Sequence, residues 1–434
     1  MLENNGFTDN FEDALLEIEY AFENISFFRD HMIQAGLTPK DIKSPEDFLK
    51  IPPTTKRHYR KNFPLGTLAK GVTLKDPALY RTQSSGTTGE RLISVEYGYI
   101  FLERAINSIS VNPDLFSAFT SEPRKHCIYS APNCSDVECS NPNSTMKSRT
   151  LNDGSLVLSV YHDLLTTPDK IYTQNLEEID IYEPELFYTD PTHLAHLSKK
   201  MIEFKYTPPQ VPIILTFTQS NQLNKKHILK AFKQNSKLAR VMSMTEFGFI
   251  AVECPMKRMH ANTSSYYLEF IVNGKPAKKG ELAELYITSY YQGCMPHIRY
   301  KTGDLYRVLD EKCECGHEFP VVEIEGRISN MFFGDNSIKL TPNELDQIVG
   351  APDWLELYKL HQSENDFFTF SYITNENYKK GSEDYIKEEL IKCLGENVTI
   401  KFENVPYIPS ARGGKYQFCS SNVGEQLLNE GFSI

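Results

Sequence analysis

The chain contains no run of about 20 apolar residues, the length a membrane-spanning helix requires. Its amino terminus, Met1 to Asn10, has acidic and amide residues where a secretory signal would place positive charge and then an apolar stretch. These absences predict a cytoplasmic protein with no membrane partner. Positive charge is also scarce: 46 Lys and Arg against 57 Asp and Glu leave a net charge of −11. A chain devoted to nucleic acid needs a basic face to displace counterions from phosphates, so this balance argues against that class. There are no internal repeats or low-complexity tracts. Nine Cys, an odd number over 434 residues, do not make a secreted disulfide framework, and some of them need another explanation.

What is present is ordinary globular composition, 40% apolar and 24% charged. A chain of 434 residues exceeds what one core usually supports, so two or more domains are expected. Helical spacing of Phe11, Leu15, Ile18, Ala21, Phe22 and Ile25 predicts a surface helix over 11–33. Ser44-Pro45 reads as a helix start, with Ser as cap and Pro in the first turn. From 156 to 240, strand-like runs (Leu156–Val160, Leu186–Tyr188, Val211–Phe217) alternate with helix-like ones (Pro191–Phe204, Gln222–Lys233), the pattern of an α/β fold with a largely parallel sheet. After a strand-like Ala283–Thr288, the chain changes character near Arg327 to Asn330. Beyond it, Leu355–Leu360, Phe367–Ile373, Glu383–Leu394 and Val398–Phe402 read as a small α+β unit.

Four segments carry candidate chemistry. Ser84-Ser85-Gly86-Thr87-Thr88-Gly89, reached by Arg81 and followed by strand-like Leu92–Val95, packs hydroxyls and glycines into one turn able to close around phosphate oxygens. It is not a Walker loop, because no Lys-Ser or Lys-Thr follows Gly89, and a plain solvated turn is the alternative. Tyr300 through Leu305 ends in Asp304, presented from a tight turn. It is either a structural turn residue or a ribose clamp, with Gly326-Arg327 as the donor side. Thr245-Glu246 at a strand end could meet a phosphate and its Mg²⁺, or could cap a helix. Cys313-Glu314-Cys315, with Cys254 and His260 upstream, fits tetrahedral Cys₃His zinc; His317 rivals His260, and reduced thiols without metal are the alternative.

In order, these segments resemble the adenylate-forming superfamily of acyl-CoA synthetases and adenylation domains, most closely its phenylacetate-CoA ligase branch. The shared motifs are Thr54-Thr55-Lys56, the loop 84–89, Thr245-Glu246, Arg299 through Asp304, Gly326-Arg327, and Gly414-Lys415 within 409–415. The Cys-x-Cys knuckle also looks like that branch, some of whose members hold zinc there. The resemblance implies an α/β fold: a large AMP-binding domain over 1–327, with the zinc knuckle at 254–317, and a small mobile domain over 328–434. It implies that a carboxylate attacks ATP to give an acyl-adenylate and pyrophosphate. The acyl group would then pass to a thiol, either coenzyme A or a carrier-protein phosphopantetheine, in a stand-alone biosynthetic enzyme.

The implied roles are phosphate binding for Ser84, Ser85, Gly86, Thr87, Thr88 and Gly89, and α-phosphate contact for Thr245. Glu246 would bind Mg²⁺, Asp304 and Arg327 the ribose, and Lys415 would neutralise developing charge. Transfer to an amine, hydroxyl or protein thiol, and a non-catalytic nucleotide-binding relic, are the alternatives; a homodimer is left open. Three departures stand out. Glu90-Arg91 replaces the usual Lys after the loop, and Met242 stands where relatives offer an aromatic to adenine, leaving Phe247 as a stacking candidate. Asn330 replaces the usual hinge Asp, in a segment one residue longer that lacks the Arg-Gly or Lys-Gly used for the thiol step. The acid's pocket is expected between about 126 and 250, with Tyr129, Tyr188 and Phe217 as walls.

Overall fold

The computed structural model describes residues 10–83, 91–132, 141–233, 237–309, 312–335, 338–411 and 413–434. The chain forms two compact units: Met1–Pro113 with Val241–Ile324 and Ser433–Ile434, and Asp114–Arg240 with Glu325–Phe432. No helix among the described residues is long and apolar enough to cross a membrane.

The first unit is built on antiparallel pairing, which the sequence alone did not lead us to expect. Tyr266–Val272 pairs with Leu282–Ser289, which pairs with Tyr300–Val308. Met259–Ala261, Gly248–Glu253 and the second half of Leu238–Met244 continue in antiparallel register. Tyr266, Tyr267, Leu268 and Phe270 are fully buried and form one core with Ala14, Ile18 and Phe28 of the amino-terminal segment. That segment is two helices, Phe11–Asn24 and Ser26–Gln34, rather than one over 11–33. Ile25 between them is extended (φ −112°, ψ 105°) and its side chain goes into the core, which ends the first helix. Ser44 caps Pro45–Phe48 as expected, accepting from the Asp47 N–H at 3.3 Å.

The second unit holds the expected parallel strands. His126–Tyr129, Leu186–Thr189, Ile213–Leu215 and the first half of Leu238–Met244 pair in parallel, with helices Asp169–Tyr182, Pro191–Glu203 and Gln222–Phe232 between them in sequence. Ile213, Ile214 and Leu215 are all buried, the continuous apolar run of a parallel strand covered on both faces. The same unit contains a four-stranded sheet ordered Thr399–Asn404, Phe367–Thr374, Leu355–Glu364, Cys419–Ser421. Helix Asp384–Leu394 and the sheet bury a core of Leu360, Phe368, Phe370, Ile386, Leu390 and Leu394. Helix Pro342–Val349 begins with a reciprocal box: Thr341 accepts from the Glu344 N–H at 3.1 Å and its own N–H donates to Glu344 at 2.9 Å. Gly326 has φ +120°, and a Cβ there would lie 2.5 Å from Pro342, so the Gly of the Gly-Arg pair is required by close packing.

Candidate active site and metal centre

In the first unit the motifs converge through hydrogen bonds. The loop Ser84–Gly89 lies outside the described residues, but its flanks pair as an antiparallel ladder from Leu79↔Tyr97 to Gln83↔Ile93. Thr82, on the strand leading into the loop, donates its hydroxyl to the Thr245 carbonyl at 3.0 Å. Thr245, Glu246 and Phe247 form the tight turn joining Leu238–Met244 to Gly248–Glu253, so the pair sits at a strand end and not at a helix cap. Glu246 is buried and accepts the Tyr300 hydroxyl at 3.0 Å, which ties the Thr-Glu turn to the Arg-Tyr-x-Thr-Gly-Asp motif. Thr54 ties in the third motif: its N–H donates to the Arg299 carbonyl and its hydroxyl to the Ile298 carbonyl, at 3.0 and 2.7 Å.

Asp304 is not at a tight turn. It lies inside the strand Tyr300–Val308, just after Gly303 at φ +75°, where the pairing register with Leu282–Ser289 shifts. A glycine-bearing bulge there kinks the strand as a turn would. Asp304 is buried, and its N–H donates to Thr302 Oγ1 at 3.0 Å. Arg299 is committed to structure: its guanidinium meets both oxygens of buried Glu269 at 3.0 and 3.1 Å and donates to the Leu49 carbonyl at 3.1 Å. Phe247 is also core, fully buried with its ring against Tyr266, His297 and Tyr300, and so offers no open face for adenine.

Lys415 and Arg327 belong to the second unit. The loop carrying Lys415 closes on itself, with the Ala411 N–H donating to the Lys415 carbonyl and the Gly414 N–H to the Ala411 carbonyl, both at 2.8 Å. Gly414 has φ +77°, and a Cβ there would meet Pro132 at 2.9 Å and the His162 carbonyl at 3.0 Å, so the loop lies flat on that backbone. Lys415 is half-buried and its Nζ donates to the Phe217 carbonyl at 3.3 Å, at the carboxyl end of the strand Ile213–Leu215. Phe217 packs edge-on against Tyr188, ring centres 5.0 Å apart. Arg327 is exposed at the end of Val321–Arg327, and Asn330 closes a short 3₁₀ turn, Ile328–Asn330. Asn336, Ser337 and Arg412 lie outside the described residues.

The same strand ends carry a group that sequence reasoning missed. Asp190, capping Pro191–Glu203, accepts from the Thr192 and His193 N–H groups, from His193 Nδ1 at 2.9 Å and from Thr218 Oγ1 at 2.6 Å. Burial pushes its pKa up, but His193 and these hydrogen bonds outweigh burial and hold the carboxyl below the usual range. Asp190-Pro191 is the signal that could have marked a capped helix start; Thr218, in the bend after Ile213–Leu215, carried none.

The metal candidates form a cluster. Cys254 Sγ lies 3.6 Å from Cys313 Sγ, Cys315 Sγ lies 3.3 Å from His260 Nε2, and the four donor atoms all lie within 4.8 Å of one another. Tetrahedral zinc with Zn–S of about 2.3 Å separates two sulfurs by about 3.8 Å, so three thiols and one imidazole at this spacing fit it. His260 Nδ1 bonds the Phe319 carbonyl at 2.8 Å, which leaves Nε2 turned toward the thiols. His317 is engaged elsewhere: Nδ1 accepts from the Phe319 N–H at 3.2 Å and Nε2 lies 3.3 Å from Ser110 Oγ.

Comparison with known proteins finds named relatives of the chain in sequence and in fold. Residues 332–422 match the family described as the CapK C-terminal domain. The chain is 21% identical over 358 residues to a phenylacetate-coenzyme A ligase of Thermus thermophilus, covering 79% of this chain and 75% of that one. It is 21% identical over 428 residues to protein CapK of Staphylococcus aureus, covering 93% and 86%. Among solved structures it superposes on 2-hydroxyisobutyryl-CoA ligase bound to R3-HIB-AMP with a TM-score of 0.71 at 18% identity, over 97% of this chain and 90% of that one. The fold is that of the adenylate-forming enzymes. By sequence the chain is similar to the phenylacetate-CoA ligases and CapK, at 20–21% identity.

Proposed function

We propose that the chain activates a carboxylic acid with ATP and passes the acyl group to a thiol. The observation that supports this most is the hydrogen-bonded junction of Thr82, Thr245, Glu246 and Tyr300, which ties two motifs of the superfamily to the strand that leads into the loop 84–89. A carboxylate oxygen attacks the α-phosphorus, the bond to the bridging oxygen of the β-phosphate breaks, and pyrophosphate leaves. Positioning and charge neutralisation supply most of the acceleration. In this reading Ser84 through Gly89 bind phosphate and Thr245 contacts the α-phosphate. Asp304 and Arg327 hold the ribose, and Lys415 neutralises charge where carboxylate and phosphate meet. Glu246, a single carboxylate beside a hydroxyl, suits Mg²⁺, which keeps several waters and would neutralise the phosphates. A thiolate then attacks the acyl carbon and AMP departs. Coenzyme A is the leading acceptor, because solved relatives include 2-hydroxyisobutyryl-CoA ligase with 2-HIB-AMP and coenzyme A bound. A carrier-protein phosphopantetheine is the other thiol to test. Cys254, His260, Cys313 and Cys315 hold a structural zinc in this reading, in a cytoplasmic enzyme whose 328–434 segment moves between the two steps. Asn330 at the hinge favours a second reading, adenylation followed by transfer to an amine, hydroxyl or protein thiol.

Isotope exchange between pyrophosphate and ATP with a panel of carboxylic acids tests the first step. Acid-dependent exchange is expected, reduced about 100-fold or more in Lys415→Ala. Exchange with no acid would contradict the proposal, and undiminished exchange in the variant would remove Lys415 from it. Mass spectrometry with coenzyme A, then carrier proteins, identifies the acceptor.

A further inference from the structure

Three polar side chains at the carboxyl ends of the parallel strands in the second unit are buried, each with a polar atom that has no hydrogen-bond partner among the described residues. Tyr129 ends the strand His126–Tyr129, Ser130 follows it, and His193 stands in the first turn of the helix after Leu186–Thr189. Tyr129 and His193 are 0% exposed and Ser130 1%. Tyr129 Oη, Ser130 Oγ and His193 Nε2 have no hydrogen-bond partner among the described residues. Tyr129 and His193 meet edge to face, ring centres 5.9 Å apart. A buried polar atom left unpaired costs stability, so the neighbouring Tyr129 and His193, with Ser130 next in the chain, call for a partner beyond the described residues.

Their position relates them to the reaction. In open α/β sheets, ligands bind at the carboxyl ends of the strands. Asp190, which orients His193, takes the Thr218 hydroxyl, and Thr218 is adjacent to Phe217, whose carbonyl accepts from Lys415. Gly414 packs on Pro132, two residues past Ser130.

The chemistry selects the partner. With its Nδ1 proton on Asp190, His193 presents Nε2 as an acceptor, while Tyr129 and Ser130 can each donate and accept. An ammonium group would need a carboxylate with free lone pairs. Asp190 Oδ1 already takes three donors and Oδ2 takes the Thr218 hydroxyl, which leaves about one lone pair for the three N–H groups of an ammonium. A second carboxylate would be repelled by Asp190. A hydroxyl donates to Nε2 and accepts from Tyr129 or Ser130.

We infer that His193, Tyr129 and Ser130 form the polar end of the acyl pocket, and that the acid this chain activates carries a hydroxyl group. The inference rests on the adenylation reading above and specifies its substrate class. Pyrophosphate exchange with matched acids, each tested with and without a hydroxyl at successive positions on aryl, arylacetic and alkyl frameworks, tests it. One hydroxylated member is expected to exceed its deoxy partner by about 100-fold or more in kcat/KM, because a pocket built to bond a hydroxyl rejects the analogue lacking it. Tyr129→Phe keeps the ring's shape and should cut that ratio about tenfold. His193→Gln, which retains an acceptor, should keep more of the ratio than His193→Leu. Equal rates for every pair, or a ratio unmoved by Tyr129→Phe, overturn the inference and leave adenylation standing. Exchange with no acid overturns both.

Discussion

Glu17 shows how one side chain can set the pH behaviour of the fold. It is buried on Phe11–Asn24 and accepts the Gln292 N–H at 2.6 Å. Burial raises its pKa from 4.5 to about 7, against the opposing pull of that N–H and of Arg104. Between those two values the folded chain holds a proton that the unfolded chain has released, so this residue's contribution to stability falls as pH rises through that window. Glu17→Gln mimics the protonated form. It should raise the free energy of unfolding by about 1–3 kcal/mol at pH 8 and leave it little changed at pH 4.5; urea titrations at the two pH values measure it. An equal gain at both would show that the carboxyl is not protonated in the fold. Single residues differed in how legible they were. Ser44 announced its cap because its partner, Asp47, is three residues away. The Asp190–His193–Thr218 group was hidden because Thr218 lies 28 residues from Asp190, in the bend after the strand Ile213–Leu215.

At the scale of elements, the parallel strands and helices of 156–240 were readable because apolar runs and helical periods alternate there with clear breaks. The antiparallel region of 241–308 was less so. Nearly all of Tyr266–Val272 is buried, so the period-two alternation that usually marks such strands is absent. Asp304 looked like a turn residue because Thr-Gly-Asp is turn chemistry; the Gly303 bulge uses that chemistry within a strand. The Cys/His cluster was legible because its four donor groups come from two short segments, and the fold brings Cys254 and His260 to Cys313 and Cys315. Metal analysis of chelator-washed protein should give about one zinc per chain. Cys313→Ser should lose the metal and lower the thermal midpoint by roughly 5–10 °C. No bound metal in protein purified without chelator would leave the four groups as reduced thiols and a histidine.

At the scale of the molecule, the chain leaves the first unit at Pro113, builds Asp114–Arg240 of the second, returns at Val241 and leaves again after Ile324. The ordered motifs were visible as a sequence, yet their division is not sequential: Thr245, Glu246 and Asp304 lie in one unit, Arg327 and Lys415 in the other. The sequence could not give that grouping, because it depends on which distant strands pair. The central claim is that a carboxylate oxygen bonds to the α-phosphorus of ATP, and oxygen tracing tests it most directly. The acid that best supports exchange, labelled with ¹⁸O in its carboxylate, is turned over with ATP and the acceptor, and the products are weighed by mass spectrometry. The account predicts one ¹⁸O in AMP and none in pyrophosphate. Unlabelled AMP, or label in orthophosphate alongside ADP, would contradict it.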